Sequence, residues 1–505
     1  MNFAKTSFWI TVLLVGGYIL AFAKESFIAN YFGISNHVDA YNIAIQIPVI
    51  VFSFVAVAIK SVIIPLYSDL YFNKGQSEAN HFASSFITLN IFIAVAFFLV
   101  GELFADLIIK LFAPGFDKET HDIAVNLLRL TLPTMIFTVV TDIVTGILNV
   151  HKRLVMPCLA VYLLQVCIIA MTVLFHSTWG IGAACVGQVL GSFLQMLYLY
   201  LIALKVYHYR FSTDFKAPEI KKAIKMSGPV IWGISIAEVN AVVNRMIGSF
   251  LFVGSISALS YAGKLNSVFM TFCVQAVSIV IFPLYAESAA KNDMEQLGRR
   301  VNYTLSVYAT MLLPVMCIVF CLREEIVEIA FARGAFDMNA VDLTKGVLGC
   351  YVVGMLFSAF RETLTKVFYS LKDTATVAKN ATIGVVLNIA LNLTLPWILG
   401  VKGLALGASI SAMFIASRLL WLMKNKNEAM KLDYFFNNIK IAVIASAVTF
   451  LLLLVSRQIL IGSHALVRFF VCGTIAGLSY LVVLLIARAP IIKEISNYIK
   501  TNKKH

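Results

Sequence analysis

Residues 8–32 read FWITVLLVGGYILAFAKESFIANYF, and a flaw in this stretch governs the reading of the whole chain. It is apolar and long enough to cross a bilayer, yet Lys24 and Glu25 stand inside it. A charge at bilayer depth costs roughly 2.5–3.5 kcal/mol on insertion scales. A single anchor helix gains nothing that offsets this cost. A helix facing a watery cavity inside a bundle does, and an ionisable residue there is a functional-site hypothesis. The plain structural alternative is a local ion pair, or a lysine that snorkels toward the headgroups. Charges recur at related places further along, which favours the cavity.

The composition fits the same class. Charged residues make up 13% of the chain and hydrophobic ones 60%, against about 25% charged in soluble domains. Apolar runs of about 20 residues return from end to end, so the expected fold is an all-α, multi-pass membrane protein. The alternation of a β-barrel is absent. The first span is too long for a cleaved signal, its basic flank is minimal, and no small-residue cleavage site follows.

The net charge of +14 is expected in cytoplasmic loops and not on a nucleic-acid face, because basic and aromatic residues are not interleaved. The eight cysteines are scattered without a CxxC spacing, and the histidines show no zinc spacing. No glycine-rich phosphate loop with its Lys–Ser/Thr signature occurs. Neither an enzyme nor a bound cofactor is therefore expected.

Fourteen spans are predicted, centred on 8–32, 37–70, 82–104, 121–150, 155–176, 180–204, 222–252, 256–286, 300–321, 340–370, 376–398, 402–424, 436–457 and 465–487. Gly16, Gly17 and Pro48 are candidate kink points. Loops after even spans are basic: Lys152 and Arg153 after the fourth, Lys205, Arg210, Lys216, Lys221, Lys222 and Lys225 after the sixth, Lys291, Arg299 and Arg300 after the eighth. The stretches 33–38, 177–179 and 253–255 have neither Lys nor Arg. Both termini are accordingly expected in the cytoplasm.

An internal repeat of about 220 residues runs through this pattern. IIPLY at 63–67 returns as IFPLY at 281–285, FAPGFD at 112–117 as FARGAFD at 331–337, ILNVHKR at 147–153 as VFYSLKD at 367–373, and WGIGAACVG at 179–187 as LGVKGLALG at 399–407. Six spans per repeat give both halves the same topology. The expected division is a lobe over 1–205, a cytoplasmic linker over 206–218 and a second lobe over 219–425. Two additional helices over 436–487 and a basic tail over 488–505 follow.

Charges at membrane depth include Lys24, Glu25, Lys60 and Asp142 in the first half, with Asp39 at the start of span two. The second half carries Glu238, Arg245, Lys264, Arg361, Glu362 and Lys366. Cations outnumber anions, which suits an anionic solute. A diphosphate fits, since Lys and Arg grip phosphate oxygens through charge-assisted hydrogen bonds. The alternative is pairing with Glu25, Glu238 and Asp142 to hold helices together. Glu238, Asn388 and Asn392 are a candidate coupling site for Na⁺ or a proton, drawing on the membrane potential. Packing by Asn–helix hydrogen bonds is the alternative there.

The series FAKESFIANYFGIS (22–35), DAYNIAIQIP (39–48), IIPLY (63–67), LFAPGFD (111–117), YAGKL (261–265), IFPLY (281–285) and FYSLKDT (368–374) resembles the lipid II flippase (MurJ, formerly MviN) family. That family lies in the multidrug/oligosaccharidyl-lipid/polysaccharide exporter superfamily, and the resemblance covers nearly the whole chain. It implies movement of a polyprenyl-diphosphate-linked peptidoglycan precursor from the inner to the outer leaflet of the bacterial cell membrane, by alternating access between two lobes. It also implies a lipid-tail groove formed with the last two helices. The family's Arg-Asp pair in the first span matches Lys24-Glu25, its cavity Arg in span eight matches Lys264, and its Asp at the start of span two matches Asp39. An Arg usual in span one is Tyr18 here, and an Arg pair after the span-two proline is Phe52 and Ser53. Lysine at the matched positions loses bidentate phosphate geometry, and Lys60 is a candidate compensation.

The sequence thus leads to a flippase for a lipid-linked saccharide, with lipid II first. The alternatives are another lipid-linked polysaccharide unit, for a capsule or exopolysaccharide, and a cation-coupled drug exporter of the same superfamily. A drug exporter calls for an acidic, aromatic cavity and has no use for spans thirteen and fourteen. A membrane scaffold without transport differs by tolerating neutralisation of Lys24 and Lys264. Expected partners are the lipid-linked glycan, membrane lipids and cell-wall synthesis enzymes, with no nucleic acid. Asp39 and Pro48 are the candidate gating or structural residues.

Overall fold

Helices form wherever the apolar runs permit, because inside a bilayer the backbone must satisfy its own hydrogen bonds. The computed structural model describes residues 3–426, 432–487 and 489–490, and no strand occurs among them. The side chains of residues 3–8, 11, 54–62, 228–237, 275–276 and 279–280 are not among those described. The tail 488–505 lies almost wholly outside the described residues. Nine described helices are long and apolar enough to cross a membrane, and two bent helix pairs bring the number to eleven.

The chain packs as two compact units, Met1–Ser257 with Arg333–Phe336, and Ala258–Ala332 with Asp337–His505. The first contains α1 (Phe3–Phe32), α2 (Asn36–Asn73), α3 (Gln76–Leu103), α4 (Ala105–Phe112), α5 (Lys118–Thr131), α6 (Thr134–Val150), α7 (Val155–Trp179), α8 (Gly182–Ala203) and α9 (Pro218–Ser249). The second contains α10 (Ser255–Met270) beyond its first turn, a π-helical turn at Thr271–Gln275, α11 (Ala276–Ala290), α12 (Met294–Cys321), α13 (Arg323–Phe331), α14 (Met338–Val353), α15 (Met355–Ser370) and α16 (Thr374–Thr394). It continues through α17 (Pro396–Leu399), α18 (Val401–Lys426), α19 (Asp433–Ile459) and α20 (Ala465–Ile486).

The structure departs from the expected spans at definite places. The stretch 121–150 is not one helix but α5 and α6, bent by 40° where Pro133 supplies no N–H. The stretch 340–370 is α14 and α15, bent by 44° at Gly354, where a Cβ would lie 2.6 Å from the Cα of Ser409. The short helices α4 and α13 were not anticipated; each follows a long helix with a one-residue break. By contrast, α1 runs through Gly16 and Gly17, and α2 runs through Pro48 and Pro65. At Gly16 the absent side chain admits Tyr162, whose hydroxyl donates to the Leu13 carbonyl at 2.6 Å.

Local features recur along the chain. Helices α3 and α12 both have 28 residues. Lys152 and Lys372 both adopt φ 60°, and Gly180 and Gly400 adopt φ 53° and 59°. Arg153 N donates to Leu148 O at 2.9 Å, as Asp373 N does to Phe368 O at 2.9 Å. Asp373 then caps α16 through Thr376 N at 3.1 Å. Lys426 at 2.7 Å, with the Thr376 hydrogen bonds, holds its carboxyl down at about 2.

Small residues set the closest helix contacts, as expected where lipid provides no hydrophobic drive for helix association. Gly187 and Gly191 of α8 would place a Cβ 2.8 Å from Ile168 Cα and 3.0 Å from Leu164 Cα of α7. On α18, a Cβ at Gly403 would come within 2.5 Å of the Leu395 carbonyl carbon, and Ser411 Oγ donates to Gly384 O at 2.8 Å. The two last helices are tied to α13 by charge. Glu325 is fully buried and meets Arg457 Nε at 2.9 Å and Arg468 Nε at 3.3 Å, while Glu324 meets Arg457 Nη2 at 2.8 Å. Removing one member of such a pair typically costs about 3–5 kcal/mol, because the other is left charged and buried.

Candidate functional site

Each intramembrane charge has a distinct setting. Lys24 and Glu25 are both buried, and their ion pair measures 3.0 Å. Neighbours in sequence do not normally face one another on a helix, so this pair turns two side chains inward together. Arg245, half-buried on α9, donates from Nη1 to the Ala241 carbonyl at 2.8 Å and has further contacts. Lys264 on α10 and Arg361 on α15 are exposed in the second unit. Lys60 falls in α2, and its side chain lies outside the described residues. Glu362 and Lys366 pair at 2.9 Å on α15 and share Ser278, whose hydroxyl donates to Glu362 at 3.0 Å.

The candidate coupling residues divide between the units. Glu238 is half-buried on α9 in the first. In the second, Asn388 and Asn392 are buried on α16, and Asn392 Nδ2 donates to Asn388 Oδ1 at 2.9 Å. About two turns before Asn388, Arg418 Nη1 donates to Asn380 Oδ1 at 2.6 Å, joining α18 to α16. Among the described residues there is no cluster of three His, Cys, Asp or Glu that could hold a metal ion.

The tightest constellation lies around Asp39, where α2 begins. Its side chain is 3% exposed. Oδ2 accepts from Gly254 N at 2.6 Å and Oδ1 from Ser257 N at 2.7 Å, and the Ser257 hydroxyl also donates to Oδ1. Asp39 thus caps the first turn of α10 from another helix. Ser257 and Gly254 were missed in the sequence, although a signal existed. Asp39 stands as far before Ile63 as Ser257 stands before Ile281, so the two are counterparts in the repeat.

Gly115 of the first FA-Gly-Phe-Asp stretch and residues 333–336 of the second both make backbone contacts within the first unit. Gly115 N donates to Ser249 Oγ at 3.0 Å, at the end of α9. Ala335 N donates to Asn30 O at 2.8 Å, near the end of α1. Gly115 thus docks at the end of α9, and the segment 333–336 docks near the end of α1. Gly334 has φ +56°, and a Cβ there would lie 2.2 Å from the Asn30 carbonyl oxygen. A cavity of about 160 Å³, lined by Asn36, Asp39, Asp117, Thr120, Ser249 and Phe252 among others, sits beside this junction. Gly334→Ala meets both backbone strain and a backbone clash, so a loss of about 2 kcal/mol or more is expected. A thermal unfolding midpoint equal to wild type would contradict that geometry.

With this arrangement in view, the profile of the family described as lipid II flippase MurJ matches residues 28–480. The chain belongs to the lipid II flippase MurJ family. A probable lipid II flippase MurJ of Rickettsia prowazekii is 27% identical over 404 residues, covering 78% of this chain and 79% of that protein. One from Buchnera aphidicola subsp. Schizaphis graminum is 26% identical over 499 residues, covering 96% of each. A solved structure of lipid II flippase MurJ in an inward closed conformation superposes with a TM-score of 0.81 at 26% identity, over 95% of this chain and 98% of that one. An inward-facing multidrug resistance MATE transporter of the MOP superfamily gives 0.65 at 13% identity, over 84% of this chain and 95% of that one, a likeness of fold alone. The MurJ resemblance read from the motifs is therefore borne out.

The three positions at which the resemblance led to an expectation of arginine carry no positive charge in this chain. Tyr18, where an arginine was expected, is half exposed. Phe52 is buried and packs edge-on against Phe97, with ring centroids 6.4 Å apart. The Ser53 hydroxyl donates to the Ile50 carbonyl of its own helix at 2.8 Å. None of the three offers an anion a positive charge.

Proposed function

We propose that this protein is a flippase that carries lipid II, a polyprenyl-diphosphate-linked saccharide, from the inner to the outer leaflet of the bacterial cell membrane. The observation that carries this reading is the family match over 28–480, joined to a structural likeness spanning 95% of the chain. The working cycle is alternating access. The diphosphate–saccharide head passes through a shielded polar path while the prenyl tail stays in lipid. Lys24, Arg245, Lys264, Arg361 and Lys60 are the candidate diphosphate ligands, recommended by charge. Glu25 orients Lys24, and the junction at Asp39 closes one end.

The finer architecture belongs to the same proposal: fourteen spans in two parallel six-helix halves, 1–205 and 219–425, with two added helices and both termini in the cytoplasm. It is supported by the matched φ values at Lys152 and Lys372, the equal lengths of α3 and α12, and the paired bends. Coupling to Na⁺, protons or membrane potential through Glu238, Asn388 and Asn392, and contact with cell-wall synthesis enzymes, complete it. The test is rescue of bacteria depleted of their resident lipid II flippase, with precursor exposure on the outer leaflet as the readout. Growth and exposure restored by the wild-type chain are expected. Membrane insertion without either would remove lipid II as the substrate and leave another lipid-linked glycan.

A further inference from the structure

Within the expected linker 206–218, the segment 206–217 is an ordered strap across α3. Gln76 Nε2 donates to Val206 O at 2.7 Å, Ser84 Oγ meets the buried Tyr207 hydroxyl at 2.9 Å, and Thr88 Oγ1 meets the Tyr209 hydroxyl at 2.8 Å. Ser85 Oγ meets Ser212 Oγ at 2.8 Å. These α3 residues follow helical spacing, so one polar face of α3 holds the strap along several turns.

Holding the strap in place fixes what it presents outward. Lys205, Arg210 and Lys216 on or beside it, and Lys221, Lys222 and Lys225 on the first turns of α9, are all exposed. Among the described residues none of these six is ion-paired. Of the nearby acids, Asp214 meets His81 at 3.5 Å, Glu219 meets Lys74 at 2.9 Å, which holds the Glu219 carboxyl below its usual range, and Glu78 lines a small cavity with Ala217 and Glu219. Between the cations stand Phe211, 70% exposed, and Ile224, 56% exposed. Phe215 packs edge-on against Phe92, with centroids 6.1 Å apart. Phe92 is itself half exposed on an apolar membrane helix, so the strap continues directly from the lipid-facing surface. Unpaired cations, interleaved with apolar side chains and held along the first part of α3 and at the start of α9, match a bilayer interface with negative headgroups. A soluble polyanion would have no use for Phe211 and Ile224.

We propose that the strap and the start of α9 form a docking surface for anionic phospholipid headgroups, which gather there in preference to zwitterionic ones. The headgroup phosphates meet the six cations, and Phe211 and Ile224 enter the interfacial layer. This surface is separate from the candidate diphosphate ligands, so it stands or falls independently of the transported substrate.

The test uses the full chain in nanodiscs, with Phe211→Trp as a reporter read by difference against the parent. Brominated phosphatidylglycerol and brominated phosphatidylcholine are compared as quenchers at the same mole fraction. Quenching about twofold stronger by the anionic lipid at low salt is expected, declining as salt screens the surface. Adding Arg210→Gln, Lys216→Gln and Lys222→Gln should bring the two lipids level. These positions are exposed, and an unchanged size-exclusion profile and melting curve certify the fold. Equal quenching by both lipids in the reporter protein would overturn the proposal, as would a preference that survives the three substitutions.

Discussion

Lys24→Ala should abolish rescue of flippase-depleted cells, and Lys264→Ala should reduce outer-leaflet precursor exposure by about tenfold or more. A lost phosphate contact in a low-dielectric site removes a charge-assisted hydrogen bond, the stronger kind. The two residues differ usefully in setting. Lys264 is exposed and has contacts of its own, so its own charge is not a buried one. Lys24 is buried against Glu25 at 3.0 Å, and its removal alone leaves a charged partner in the interior, at about 3–5 kcal/mol. The double variant Lys24→Ala/Glu25→Ala separates the two effects. It should regain much of the stability lost in Lys24→Ala and none of the transport. Lys24→Arg should keep function, since the guanidinium retains the charge and adds bidentate geometry. Full precursor exposure in the double variant and in Lys264→Ala, at wild-type protein levels, would end the assignment of these lysines to the headgroup.

Replacing Asp39 by alanine is the second large effect. The carboxylate accepts three hydrogen bonds, from Gly254 N, Ser257 N and the Ser257 hydroxyl. Alanine leaves these donors buried and unanswered, at about 1–3 kcal/mol each, so a loss of about 3 kcal/mol or more is expected. Asparagine is no remedy, because its amide nitrogen would confront a backbone N–H. Both variants should loosen the junction where Gly115 meets Ser249 and Gly334 meets Asn30. A cysteine placed at Thr120, a buried residue lining the cavity, reports this. Its labelling by a water-soluble maleimide should rise about tenfold in Asp39→Ala. Unchanged labelling together with an unchanged melting curve would show that Asp39 does not hold this end shut.

The class of fold was legible because a bilayer leaves few choices: apolar runs must become helices, and helices must hide their charges. Lys24 and Glu25 declared themselves as a violation of that rule. The bends at Pro133 and Gly354 were harder to read, because the continuous apolar run hides a break whose cause is the absence of an N–H or the approach of α18. Helices α4 and α13 escaped for a related reason, being too short to show a span. The partners of Asp39 lie more than 200 residues away, and only the arithmetic of the repeat points to Ser257. The strap was read as a linker because its hydrogen bonds come from hydroxyls on α3, and Ser and Thr carry no pattern that announces a partner.

The contact between Asp39 and Ser257 joins counterpart positions of a duplicated design. In a dimer of two identical chains, a position lying on the symmetry axis meets its own copy. Aspartate would then face aspartate, and the like charges would drive the ends apart. Serine facing serine would supply a weak, uncharged bond. A donor–acceptor lock with a carboxylate on one side only is open to a chain that carries both halves in one sequence, where each side can be tuned alone. One sequence carrying both repeats can therefore place the carboxylate on α2 and the donors at the start of α10, as Asp39, Gly254 and Ser257 do here.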